Sequence, residues 1–143
     1  MRRPLTETVI AYVFRGPELL VFERPSSPEA GLAVPAGPVQ PGETPRDAAV
    51  RTIREGAGLT VIGVRPLGFI DADSVEDDDR EVLERRHFFA MRLHGLAPDR
   101  WVHYEPARDE EPPERFEFSW RPAASPQALA DGLDALLGRA LAA

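Results

Sequence analysis

Glu43, Arg51 and Glu55 form the most chemically suggestive group in this 143-residue chain: two carboxylates flank a guanidinium, separated from it by seven and by three residues. Carboxylates are the side chains that hold hard divalent cations. A helix brings residues three and four apart onto one face, so Arg51 and Glu55 would be neighbours on it. Two simpler roles stay open: Arg51 and Glu55 as a surface ion pair, and Glu43 as an acid at the positive end of a helix dipole. Acidic runs at Asp77-Asp78-Asp79 and at Asp109-Glu110-Glu111, with Glu114 beyond, read as solvated loops or as functional segments.

Several chemistries are excluded by what is missing. The chain has no cysteine, which removes disulfides, thiolate metal sites and a thiol nucleophile. All 17 basic residues are arginine, so neither Schiff-base chemistry nor a phosphate-binding lysine is available. His87, His94 and His103 do not fall at a common zinc spacing. The net charge of −7 disfavours long nucleic acids and anionic membranes. A small phosphorylated ligand remains possible, because a divalent cation can invert the local field.

The elements that must position these residues can be read from local patterns. Thr6–Arg15 and Glu18–Arg24 read as a hairpin turned at Gly16-Pro17, and Pro25–Pro41 as a loop. A helix begins at Thr44 as N-cap, with Pro45 at its first position and Asp47 where a capping-box acid stands. It carries Ala48, Ala49 and Ile53 as an apolar stripe and ends at Gly58. Strands are expected at Thr60–Asp71 and Arg86–Leu93 with an acidic loop, Asp73–Arg85, between them. Another is expected at Trp101–Tyr104. Phe116, Phe118 and Trp120 alternate as in a half-buried strand; their second possible role is a base-stacking platform. Pro126–Leu141, with leucines at 129, 133, 136, 137 and 141, reads as an amphipathic helix that covers the core or holds a partner helix in a homodimer. Together these predict one α/β (α+β) domain over residues 1–143 with a mixed sheet. Met1-Arg2-Arg3-Pro4 leads into a strand rather than an apolar run, so a cytoplasmic protein without a membrane segment is expected.

Across Gly37–Leu59 the chain resembles the Nudix (MutT-like) family, whose box reads G-x5-E-x7-R-E-U-x-E-E-x-G-U with U a bulky aliphatic residue. Gly37, Glu43, Arg51, Ile53, Glu55, Gly58 and Leu59 fall on the pattern without a gap, and Val34-Pro35-Ala36-Gly37 resembles the family's Leu-Pro-Gly-Gly entry. The resemblance implies an α/β/α sandwich and hydrolysis of a nucleoside diphosphate linked to another group, assisted by Mg²⁺ or Mn²⁺. It implies a metal site of Glu55, Glu43 and the backbone carbonyl of Ala36, with Arg51 orienting Glu55. Two of the family's helix glutamates are absent, since Thr52 and Gly56 occupy their positions. Neither is a good side-chain ligand for a hard cation.

Three functions follow for comparison. One is a metal-dependent hydrolase with a reduced ligand set and weak activity. The second is a catalytically silent module that binds a nucleotide-like small molecule or a protein partner. The third is an acidic globular protein that shares only the architecture.

Overall fold

Strand β1 (Leu5–Arg15) has two apolar faces, and this dictates the layering. Val9, Ala11 and Val13 enter one core while Ile10 and Tyr12 enter another, as the two-residue period of a strand requires. A sheet with two apolar faces must be covered on both sides. The computed structural model, which describes residues 4–75, 78–105, 113–124 and 129–141, accordingly places helical segments against each face.

The elements after β1 are β2 (Glu18–Glu23), β3 (Ala36–Pro38), helix α1 (Pro45–Ala57), β4 (Val61–Val75), β5 (Glu81–Leu93), β6 (Arg100–Glu105), β7 (Glu114–Pro122) and α2 (Leu137–Leu141). The strands among the described residues form one sheet of order β4-β5-β1-β2-β7-β6, with β3 paired to β1. Only β1 and β5 run parallel, so the sheet is mixed. Helix α1 buries Ala48, Ala49, Ile53 and Ala57 against one face. Leu129, Leu133, Leu136 and Ala140 cover the other, where the Tyr12 hydroxyl donates a hydrogen bond to the Leu133 carbonyl. This is the expected α/β/α sandwich. No helix among the described residues is long and apolar enough to cross a membrane.

Three local expectations are corrected. The Pro25–Pro41 segment is not all loop. It contains a 3-10 turn at Pro28–Ala30, and its second half inserts into the sheet. Strands β1 and β2 pair only near the hairpin turn; farther along, Phe22 exchanges backbone hydrogen bonds with Ala33, and β3 pairs with Thr8–Ile10. Prolines at 35 and 38 mask this strand, because they cannot donate to a ladder and read as turn residues.

The acidic stretch Asp73–Arg85 is mostly strand as well. β4 runs on to Val75 and β5 begins at Glu81, with Asp71 and Arg85 opposed and joined by two hydrogen bonds of 2.8 and 3.0 Å; Asp77 lies outside the described residues. Arg85 is thus paired across the strands with Asp71, while Asp78 and Asp79 stay exposed in the turn, as a solvated loop would have them.

The C-terminal helix is broken. A 3-10 turn at Ala130–Gly132 precedes the five-residue α2, and both Asp131 (φ 54°) and Gly132 (φ 72°) adopt left-handed backbone that a helix cannot contain. Residues 126–128 lie outside the described residues. Leu129, Leu133 and Leu136 are nevertheless buried as expected, whereas Leu141 is exposed.

Candidate active site

Helix α1 is fixed at both ends. The Thr44 side chain accepts from the Asp47 amide at 3.1 Å, a cap worth about 1 kcal/mol. Gly58 closes the helix in left-handed conformation (φ 73°), its amide turned back to the carbonyls of Ile53 and Arg54. The Trp101 indole then donates to the Ala57 carbonyl at 3.2 Å, which docks β6 on the helix end.

On this platform Arg51 is a hub. Its Nε and one Nη donate to both oxygens of Glu43 at 2.8 and 3.0 Å, the same Nη reaches the Pro38 carbonyl at 2.7 Å, and the other Nη reaches Glu55 at 3.3 Å. The Arg51 and Glu43 side chains are each only 15% exposed, whereas Glu55 is 59% exposed. A bidentate guanidinium–carboxylate pair shielded from solvent is the stronger contact. Hydrogen bonding from Arg51, helped by the Gln40 amide, holds the Glu43 carboxyl below its ordinary value. Glu43 is thus fully engaged, and Glu55 remains the box carboxylate open to solvent.

Arg51 and Glu55, but not Glu43, border a cleft of about 470 Å³. Ala36, Gly37, Arg51, Thr52, Glu55 and Gly56 form one wall; His103, Glu105 and Phe116 stand among the lining residues from β6 and β7. Ala36 and Pro38 are two residues apart on β3, so their carbonyls leave the same strand edge, and the Pro38 carbonyl turns toward Arg51. Thr52 faces inward. It is 8% exposed, and its hydroxyl oxygen is buried without a hydrogen-bond partner. Gly56 opens onto free space.

The aromatic residues divide. Phe118 and Trp120 are core, stacked with or tilted against Trp101, as the half-buried-strand reading expects. Phe116 is only half buried and lines the cleft, edge-on to Phe22 at 5.3 Å. The Arg24 guanidinium lies 5.7 and 5.4 Å from these two ring centroids and 3.8 Å from Glu114. Of the candidate acids on the loop before β7, Glu114 is therefore paired with Arg24, and Asp109, Glu110 and Glu111 lie outside the described residues. Arg24, His103 and Glu105 were not singled out from sequence. The last two had a signal: β6 alternates, so residues 103 and 105 share the face of Trp101, which touches α1.

The arrangement offers one solvent-exposed box carboxylate, a strand edge of carbonyls, an arginine and an aromatic flank. Among the described residues no group of three or more His, Asp or Glu could cage a metal ion.

A family model described as NUDIX domain matches residues 4–137. Among solved structures the chain is similar to a MutT NUDIX hydrolase from Burkholderia pseudomallei, at 20% identity and a TM-score of 0.61 over 95% of this chain and 98% of that one. It is also similar to an ADP compounds hydrolase (17%, TM-score 0.53, 83% of this chain and 60% of that chain). A UDP-X diphosphatase matches at 15%, TM-score 0.62, over 99% and 64%. At these identities the likeness concerns the fold. The family match spans most of the sequence, and on that ground the chain belongs to the NUDIX family.

Proposed function

We propose that the chain hydrolyses a nucleoside diphosphate-linked compound slowly, with one divalent cation held by few protein ligands. The observation that carries this reading is the exposure of Glu55, 59% open to solvent with one 3.3 Å contact to Arg51. It is the box carboxylate that opens on the cleft, while Arg51 occupies Glu43. Mg²⁺ tolerates such a site, because it keeps several waters and uses one or two carboxylates together with substrate phosphates. Glu55 and the Ala36 carbonyl, which line the same cleft, would hold one water-rich ion. Glu43 acts from behind, as the counter-charge that fixes Arg51. Such an ion, Mg²⁺ or Mn²⁺, supplies charge neutralisation and an acidified water.

The chain's own contributions are positional. Arg51, braced by Glu43 and Pro38, limits where the Glu55 carboxylate can swing. Phe116, half-buried on the cleft, offers an apolar flank to a base, and Arg24, lying over its ring and beside Glu114, offers a cation to a phosphate. The UDP-X and ADP-compound hydrolases of similar fold favour a nucleotide-derived substrate.

A second reading, binding without turnover, is favoured by Thr52, whose inward, buried hydroxyl leaves a helix-glutamate position of the box without charge. Incubation with nucleoside diphosphate derivatives and Mg²⁺ or Mn²⁺, followed by phosphate or nucleotide release, separates the two. Metal-dependent turnover supports hydrolysis. Saturable binding with no release selects the binding module.

A further inference from the structure

A second cavity, larger than the cleft at about 650 Å³, lies at the C-terminal end of β1. The two share no lining residue. Val9 pairs with Gly37 beside the cleft, and Phe14, on the second cavity, stands five residues farther along β1, roughly 17 Å away at ~3.3 Å per residue. Volumes of this size accommodate small organic ligands.

The lining is unusual for a chain of net charge −7: it holds Arg15, Arg65 and Arg92 and no acidic side chain. Arg15 is neutralised from outside by Glu18 at 2.9 Å and Asp99 at 3.0 Å. Arg65 spends one donor on the Ala140 carbonyl at 3.1 Å and meets no carboxylate among the described residues. Arg92 has neither a hydrogen-bond nor an ion-pair partner among the described residues. Its position is nonetheless defined, because the guanidinium lies over Gly63, where a Cβ would stand 3.2 Å from Nε. Gly63 is left-handed (φ 63°) and sits in a register shift between Ile62 and Arg65, the kind of bulge that re-aims side chains. Two guanidiniums therefore line one cavity without a carboxylate partner among the described residues. Phe14, Ile62 and Leu93 add apolar wall.

We propose that this cavity is a binding site for a small organic phosphate monoester, with its dianionic head between Arg65 and Arg92 and its body against the apolar wall. Two positive charges without a carboxylate partner among the described residues match a group that carries −1.5 to −2 near pH 7, and the planar arginine fork suits phosphate oxygens.

The test uses 1-naphthyl phosphate, titrated calorimetrically into the full chain in metal-free buffer. Saturable binding is expected, with inorganic phosphate and the monoanion 1-naphthoate weaker and 1-naphthol not saturating. Arg92→Gln and Arg65→Gln should each weaken the phosphate at least ~10-fold, as expected for a charge-assisted contact. Arg65→Lys, which keeps the charge, should lose less, and Phe116→Ala in the other cleft should change nothing. Arg92→Gln should melt with the parent, because Arg92 has no polar partner among the described residues to lose. The proposal is overturned by absent saturation into the millimolar range, by unchanged binding in both Gln variants, by equal affinity for 1-naphthoate, or by loss of binding in Phe116→Ala.

Discussion

A Cβ placed on Gly37 would lie 2.7 Å from the Thr52 hydroxyl oxygen, so β3 and α1 meet at a distance that only glycine permits. The buried, unpartnered hydroxyl of Thr52 is part of that contact. Gly37→Ala should destabilise the fold by about 1–3 kcal/mol through overpacking. Thr52→Val removes the orphaned oxygen at nearly constant volume and should raise stability by about 1 kcal/mol. Denaturant titration of both variants checks the signs, and a Thr52→Val that unfolds earlier than the parent would mean the hydroxyl has a partner.

Glu55 is the side chain whose loss should matter most to hydrolysis and least to folding. It is 59% exposed, so Glu55→Gln should leave the melting temperature close to that of the parent. Turnover should fall at least ~100-fold, about 2.7 kcal/mol of transition-state stabilisation. An unchanged rate would move the chemistry to the acidic loop before β7.

Acid sensitivity should trace to two arginine-held carboxylates. Arg51 lowers the Glu43 pKa from its ordinary 4.5, and Arg85 lowers that of Asp71 from 3.8. A carboxylate whose folded-state pKa is lowered stabilises the fold fully above its unfolded value and loses that contribution as pH falls through the folded one. Glu43→Gln and Asp71→Asn should therefore be less stable than the parent at pH 7, and their melting temperatures should decline less steeply below about pH 4.5. Parallel curves for parent and variants would count against both pairs.

How much of this was legible follows from where each signal is stored. Helix α1 was readable to within a residue because Thr44, Pro45 and Gly58 act locally. Strand β3 was not, since its prolines read as turn and its partner Ile10 stands far back in the sequence. The C-terminal helix misled because leucine spacing reports burial, which was right, and not backbone continuity, which Asp131 and Gly132 interrupt. At the site, the Arg51–Glu55 pair follows from i,i+4 geometry. The closer Arg51–Glu43 pair requires knowing how residues 38–44 fold back, which no periodicity encodes.

The same geometry separates the two box positions that lack glutamate. A Cβ at Gly56 meets nothing within 4 Å, and this residue lines the cleft beside Glu55, whereas Thr52 is packed beneath Gly37. Gly56→Glu alone should therefore be tolerated, and Thr52→Glu should not. In Gly56→Glu, helix propensity gains up to ~1 kcal/mol over glycine. Repulsion from the neighbouring Glu55 opposes that gain while no cation is bound. Added Mg²⁺ reverses the opposition, because a cation bound only by the folded chain stabilises it by mass action. The melting temperature of Gly56→Glu should climb with Mg²⁺ well beyond the small response expected of the parent, and diphosphate hydrolysis should rise with it. Thermal melts across a Mg²⁺ series decide the matter: equal responses in variant and parent would show that position 56 does not share a cation with Glu55.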